Sequence, residues 1–134
     1  MLLELDVRDF AIIEHIVCRL SPGFNVLTGE TGAGKSIIVD AVGQLLGDRA
    51  DSTVVRAGCD RAVIQGVFDL GDRAGHVAAL LVAYGVEPEA RLIACREISA
   101  AGGSTARLNG RIVPVKALLE VAQALVDIHG QSET

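Results

Sequence analysis

The stretch Gly29-Glu30-Thr31-Gly32-Ala33-Gly34-Lys35-Ser36 matches G-x-x-x-x-G-K-[ST] at every fixed position. Each residue type answers a need of phosphate binding. Glycines let the backbone curl so that successive N–H groups point inward at phosphate oxygens. The N-terminus of a following helix adds a partial positive charge of about half a unit. Lys35 is a point charge for the β- and γ-phosphates. The Ser36 hydroxyl is a hard oxygen ligand suited to Mg²⁺. The expected ligand is therefore ATP with Mg²⁺.

Such a loop needs a strand before it and a helix after it. Phe24-Asn25-Val26-Leu27-Thr28 reads as the strand. Ile37, Ile38, Ala41, Val42, Leu45 and Leu46 recur at helical spacing, and Gly47 is a natural stop. Gly43 inside that helix suggests close packing against a strand.

Upstream, Leu3, Leu5 and Val7 alternate with Glu4, Asp6 and Arg8, as in a half-buried strand, and Ile16 to Leu20 reads as a second. Downstream, residues 62–70 read as a strand and 73–84 as a helix with Val77, Leu80, Leu81 and Tyr84 on one face. Residues 91–98 and 105–109 read as strands joined around Gly102-Gly103. Asn109-Gly110 is a tight-turn pair. Pro114 precedes a short helix carrying Val115, Leu118, Leu119 and Ala122. Leu125-Val126-Asp127-Ile128 reads as a last short strand. The fold class expected is α/β, a P-loop unit with antiparallel hairpins.

Composition narrows the classes. The 134 residues suffice for one domain. Half are hydrophobic and only 3% aromatic, so the core must be aliphatic. A formal net charge of -5 gives no basic footprint for nucleic acid. Cys18, Cys59 and Cys95 show no metal-ligand spacing, and an odd count without a signal peptide fits reduced thiols in the cytosol. No apolar run reaches the roughly 20 residues that span a bilayer. Hydrolysis needs more than a P-loop, normally an acid at a strand end. Asp127 and Asp69 both end apolar runs; either is that acid or a plain surface carboxylate.

Three stretches together resemble a known family. They are Leu5-Asp6-Val7-Arg8-Asp9-Phe10-Ala11-Ile12-Ile13-Glu14, the segment from Val26 through the loop to Ala41, and Leu45-Leu46-Gly47-Asp48-Arg49-Ala50-Asp51. With Arg96-Glu97-Ile98-Ser99, Leu108-Asn109-Gly110-Arg111 and Val126-Asp127-Ile128-His129-Gly130-Gln131, the chain resembles the N-terminus of the RecN family. These are bacterial DNA-repair ATPases of the SMC-like branch of ABC-type ATPases. The resemblance covers essentially the whole chain.

It implies that residues 1–134 form the N-terminal lobe of an ATPase head, running from P-loop to Q-loop. Gln131 would be the Q-loop glutamine that touches Mg²⁺ and senses the γ-phosphate. Glu30 and Thr31 would lie in the loop that wraps the phosphates. Asp127 would then be structural. Arg56 would fall where such heads carry an arginine loop near nucleotide or DNA; a solvated arginine is the other reading. On the alternative of an ABC transporter ATPase, Phe10 is the upstream aromatic besides Phe24 that could meet adenine; otherwise it is a core residue. His15 and His76 read as solvated, and His129 as shaping the Q-loop.

The resemblance also implies parts these residues do not contain: a coiled coil, a signature motif, a Walker B Asp-Glu pair and a switch histidine. The expectation is a chain that binds Mg-ATP without turning it over. Its partners would be a C-terminal lobe, a second head closing over ATP, and DNA, in the cytoplasm at the nucleoid. The alternatives are a complete small P-loop kinase using Asp127, or a fragment of an ABC transporter ATPase.

Overall fold

The computed structural model describes residues 2–19, 32–49, 51–71 and 74–129, with only the backbone at 32–36, 74, 76 and 125–129. The expected strand at residues 24–28 lies outside the described residues. Six strands form one sheet: β1 (Leu2–Phe10), β2 (Ile13–Arg19), β3 (Arg61–Asp69), β4 (Arg91–Ser99), β5 (Ser104–Leu108) and β6 (Arg111–Val113). Their order is β2-β1-β3-β4-β5-β6, and every pair is antiparallel. Among the described residues three α-helices accompany them, α1 (Gly32–Leu45), α2 (Ala74–Ala83) and α3 (Val115–His129), with a 3-10 turn at Ser52–Val54.

Alternation decides which face the helices cover. Leu5 and Val7 on β1, Ala62 and Ile64 on β3, and Leu92 and Ala94 on β4 are all buried. The register stacks them, with Leu5 opposite Gly66 and Gly66 opposite Ala94. α1 lies against β3 and β4, α3 lies against β5, and α2 packs on α3. Among the described residues the buried hydrophobic side chains are aliphatic apart from Phe10 and Phe68. On the opposite face, polar contacts run between strands: a His15–Asp6 hydrogen bond at 3.1 Å and the ion pairs Arg61–Glu97 at 3.2 Å and Arg107–Glu97 at 3.6 Å. His15 is exposed, as expected, and its ring also meets the Asp6 carboxylate.

Local backbone chemistry sets the element ends. Gly47, at φ 109°, closes α1: Asp48 N–H donates to Gly43 C=O at 3.0 Å, and Gly47 N–H to Gln44 C=O at 3.3 Å. That is a Schellman cap. Asn109 and Gly110, at φ 50° and 85°, make the two-residue turn between β5 and β6. Asp9, at φ 52°, breaks the alternation of β1, so Phe10 faces the core at 2% exposure rather than following Arg8 outward.

Two expectations need correction. The segment Leu125-Val126-Asp127-Ile128 is not a strand; α3 runs unbroken from Val115 to His129. Asp127 is therefore in a helix and ends no strand. Gly43 does not meet a strand. A Cβ there would run into the Asp48 carboxylate, and the glycine at the helix–sheet contact is Gly66, whose Cβ would lie 2.5 Å from Leu45 Cδ2.

Candidate nucleotide-binding site

The motif and the fold meet at the start of α1. Gly32, Ala33, Gly34, Lys35 and Ser36 are its first five residues. The leading N–H groups of a helix have no partner within it, so this is where an anion is best received. The backbone thus fits a phosphate ligand. The side chains of Lys35 and Ser36, and all of Gly29, Glu30, Thr31 and Gln131, lie outside what the structure describes.

The other end of α1 is fully described, and its anchor is a residue that sequence reasoning passed over as chemistry. Arg96 on β4 is 1% exposed. Its Nη1 donates to Gln44 C=O at 2.6 Å and to Asp48 C=O at 2.9 Å. Its Nε and Nη2 both donate to Ser104 Oγ at 3.2 Å. Carbonyls at a helix C-terminus are the acceptors the helix itself cannot satisfy, and a cation there complements the helix dipole. Burial pulls the guanidinium pKa below its usual range, and the Asp48 charge opposes that shift. Arginine remains a cation throughout. The signal was present: Arg96 occupies an inward position between Ala94 and Ile98.

Arg56 is placed at the β1–β2 turn. Its Nη1 donates to Ile12 C=O at 2.8 Å and its N–H to Asp9 C=O at 2.8 Å. With Ala11 N–H on Val54 C=O at 2.6 Å, the segment after α1 straps the β1–β2 turn, where Asp9 and Ala11 both hold positive φ. Phe10 is core rather than an open adenine platform. Asp69 Oδ1 accepts from Gly71 N–H at 3.1 Å, a turn role. The three cysteines are free thiols. Burial pushes each of them up, reinforced at Cys59 by Asp9, so none is an activated thiolate. Among the described residues no cluster of His, Cys, Asp or Glu is arranged for a metal, and no helix is long and apolar enough to cross a membrane.

Comparison with known proteins adds the lineage. A family model described as an AAA domain matches residues 4–70, half of the chain. The DNA repair protein RecN of Halalkalibacterium halodurans is 47% identical over 99% of this chain and 24% of its own length. That of Bacillus subtilis is 43% identical over 99% of this chain and 23% of its own. The chain belongs to the AAA domain family and, within it, to the RecN group. It spans about a quarter of the length of these curated RecN relatives. The fold is that of solved SMC heads. A solved SMC ATPase, studied for ATP-driven dimerization and DNA-stimulated activation, superposes with a TM-score of 0.75 over 99% of this chain and 86% of that chain, at 22% identity.

Proposed function

We propose that this chain is the ATP-binding part of a RecN-type DNA repair and recombination ATPase acting on double-strand breaks, in the cytoplasm at the nucleoid. The observation that carries the reading is the Gly29–Ser36 motif opening directly into the first turn of α1. Residues 1–134 form the N-terminal lobe of the head. Backbone N–H groups of Gly29 through Gly34 wrap the phosphates, with Glu30, Thr31 and Ala33 supplying main chain. Lys35 neutralises the β- and γ-phosphates. Ser36 and Gln131 ligate Mg²⁺, which supplies charge neutralisation at the phosphates when bound.

The sequence holds no Leu-Ser-Gly-Gly signature and no apolar run followed by Asp-Glu, so on this reading turnover requires a C-terminal lobe and a second head closing over the same nucleotide. DNA engages the whole ATPase. The small-kinase reading needed Asp127 at the end of a strand, and α3 removes that strand.

Equilibrium dialysis with labelled ATP tests the reading. Saturable Mg²⁺-dependent binding is expected, weakened at least tenfold by Lys35→Ala, with no steady-state phosphate release. Absence of binding, or equal binding by Lys35→Ala, overturns it. Phosphate release that Lys35→Ala abolishes would overturn the claim that turnover needs further parts.

A further inference from the structure

We infer that Arg96 is a positioning residue for nucleotide binding, its buried guanidinium fixing the far end of the helix whose first turn receives the phosphates. The inference rests on the phosphate-loop reading of residues 29–36 and adds a residue that touches no ligand.

Stability alone does not call for an arginine here. Its neighbours on the same strand face are Leu92, Ala94 and Ile98, all buried. Replacing a buried charge with an apolar side chain of similar volume is often neutral or stabilising. What an apolar side chain cannot do is direct several donors at chosen acceptors. Arg96 joins three places at once: Gln44 C=O in the last turn of α1, Asp48 C=O just beyond its cap, and Ser104 Oγ on β5. The planar fork fixes direction as well as distance.

Among the described residues, the close approaches of α1 lie at this same end. Gly66 lets Leu45 sit on the sheet, and Gly47 lets α3 approach through Leu119, whose Cβ would be 2.9 Å from an added methyl. Gln44 Nε2 adds a bond to Arg49 C=O at 3.0 Å. α1 is thus held where it ends, while the phosphates bind where it begins, 14 residues or roughly 20 Å away. A helix is stiff over that length, so a small tilt at the anchor becomes a displacement at the first turn. Amide donors on phosphate tolerate only a few tenths of an ångström.

The test uses the full chain and four variants: Arg96→Met, Arg96→Lys, Ser104→Ala, and Leu108→Ala as a buried control on the same sheet. Stability, Kd for Mg-ATP and ATP-dependent protection of the amides at 33–36 from hydrogen exchange are measured on the folded fraction. Arg96→Met is expected to weaken ATP by at least tenfold and to lose the protection. Arg96→Lys keeps the charge but not the fork, and is expected to recover stability more than affinity. Leu108→Ala is expected to lose stability yet bind within twofold of wild type. If Arg96→Met does not fold, Ser104→Ala decides, with a two- to fivefold weakening expected and an unchanged Kd overturning the inference. A folded Arg96→Met that binds and protects like wild type overturns it alone. A wild-type chain that binds no Mg-ATP overturns the phosphate-loop reading and this inference with it.

Discussion

Tyr84 is the chain's single tyrosine, and its hydroxyl donates to Glu120 Oε1 at 2.6 Å, tying α2 to α3. That bond, with burial and the Glu120 charge behind it, raises the phenol above its ordinary value of about 10. A raised folded-state pKa means the bond stabilises at neutral pH and below. The contribution is lost as pH climbs through the folded value, when two negative oxygens would face each other. Absorbance titration reads this residue without interference, and its midpoint should lie above that of the unfolded chain. Glu120→Gln should bring the midpoint down toward the unfolded value. Single residues were legible unevenly. Lys35 and Ser36 stood out because their spacing is a motif. Phe10 was ambiguous because its burial depends on a positive φ at Asp9, which no pattern announces. Arg96 was visible as an inward-facing charge, yet its acceptors are backbone carbonyls about fifty residues earlier, and sequence carries no mark of those.

Elements were legible where their ends are written in glycine. Gly47 marked the end of α1, and Gly85 plays the same part for α2, where Val86 N–H donates to Leu81 C=O at 2.8 Å. Asn109-Gly110 gave the β5–β6 turn, though β6, at three residues, was too short to read. The misreading of Leu125 to Ile128 has a plain cause. A short apolar run does not distinguish a strand from the buried stripe of a helix. Buried Ala117, Leu118 and Val121, with Ala124 packed against the core, already marked the helical stripe that carries α3 past that point. The glycine caps also differ in what surrounds them, and this can be measured. At Gly47 an alanine would meet both a φ of 109° and the Leu119 backbone at 3.0 Å. At Gly102 the φ is 111°, but nothing lies within 4 Å. Strain plus crowding should cost roughly 2–4 kcal/mol in Gly47→Ala, and strain alone about 1–2 kcal/mol in Gly102→Ala. Denaturant unfolding of the two variants checks the order. Equal losses would mean that the α1–α3 contact yields freely.

At the scale of the molecule, the SMC-type head was legible as a class because a motif and a set of family stretches coincide. The strand order was not. β1 pairs with β2, its neighbour in sequence, and also with β3, which begins after residues 11–60 have intervened. No local pattern specifies that second pairing. By contrast β3, β4, β5 and β6 follow one another as sequential neighbours in the sheet. This asymmetry has a kinetic consequence. Pairings within β3 to β6 close shorter loops, the longest being residues 70–90, whereas β1 on β3 must first confine residues 11–60. The segment so confined contains α1. The meander that carries Arg96 is therefore expected to form in the folding transition state, and α1 to dock afterwards onto a template already made. Chevron analysis should return φ-values of about 0.5 or more for Ala94→Gly and Ala106→Gly, against values near 0 for Val42→Ala. In the reverse direction α1 is the first element to leave, so bound nucleotide should slow unfolding far more than it speeds folding.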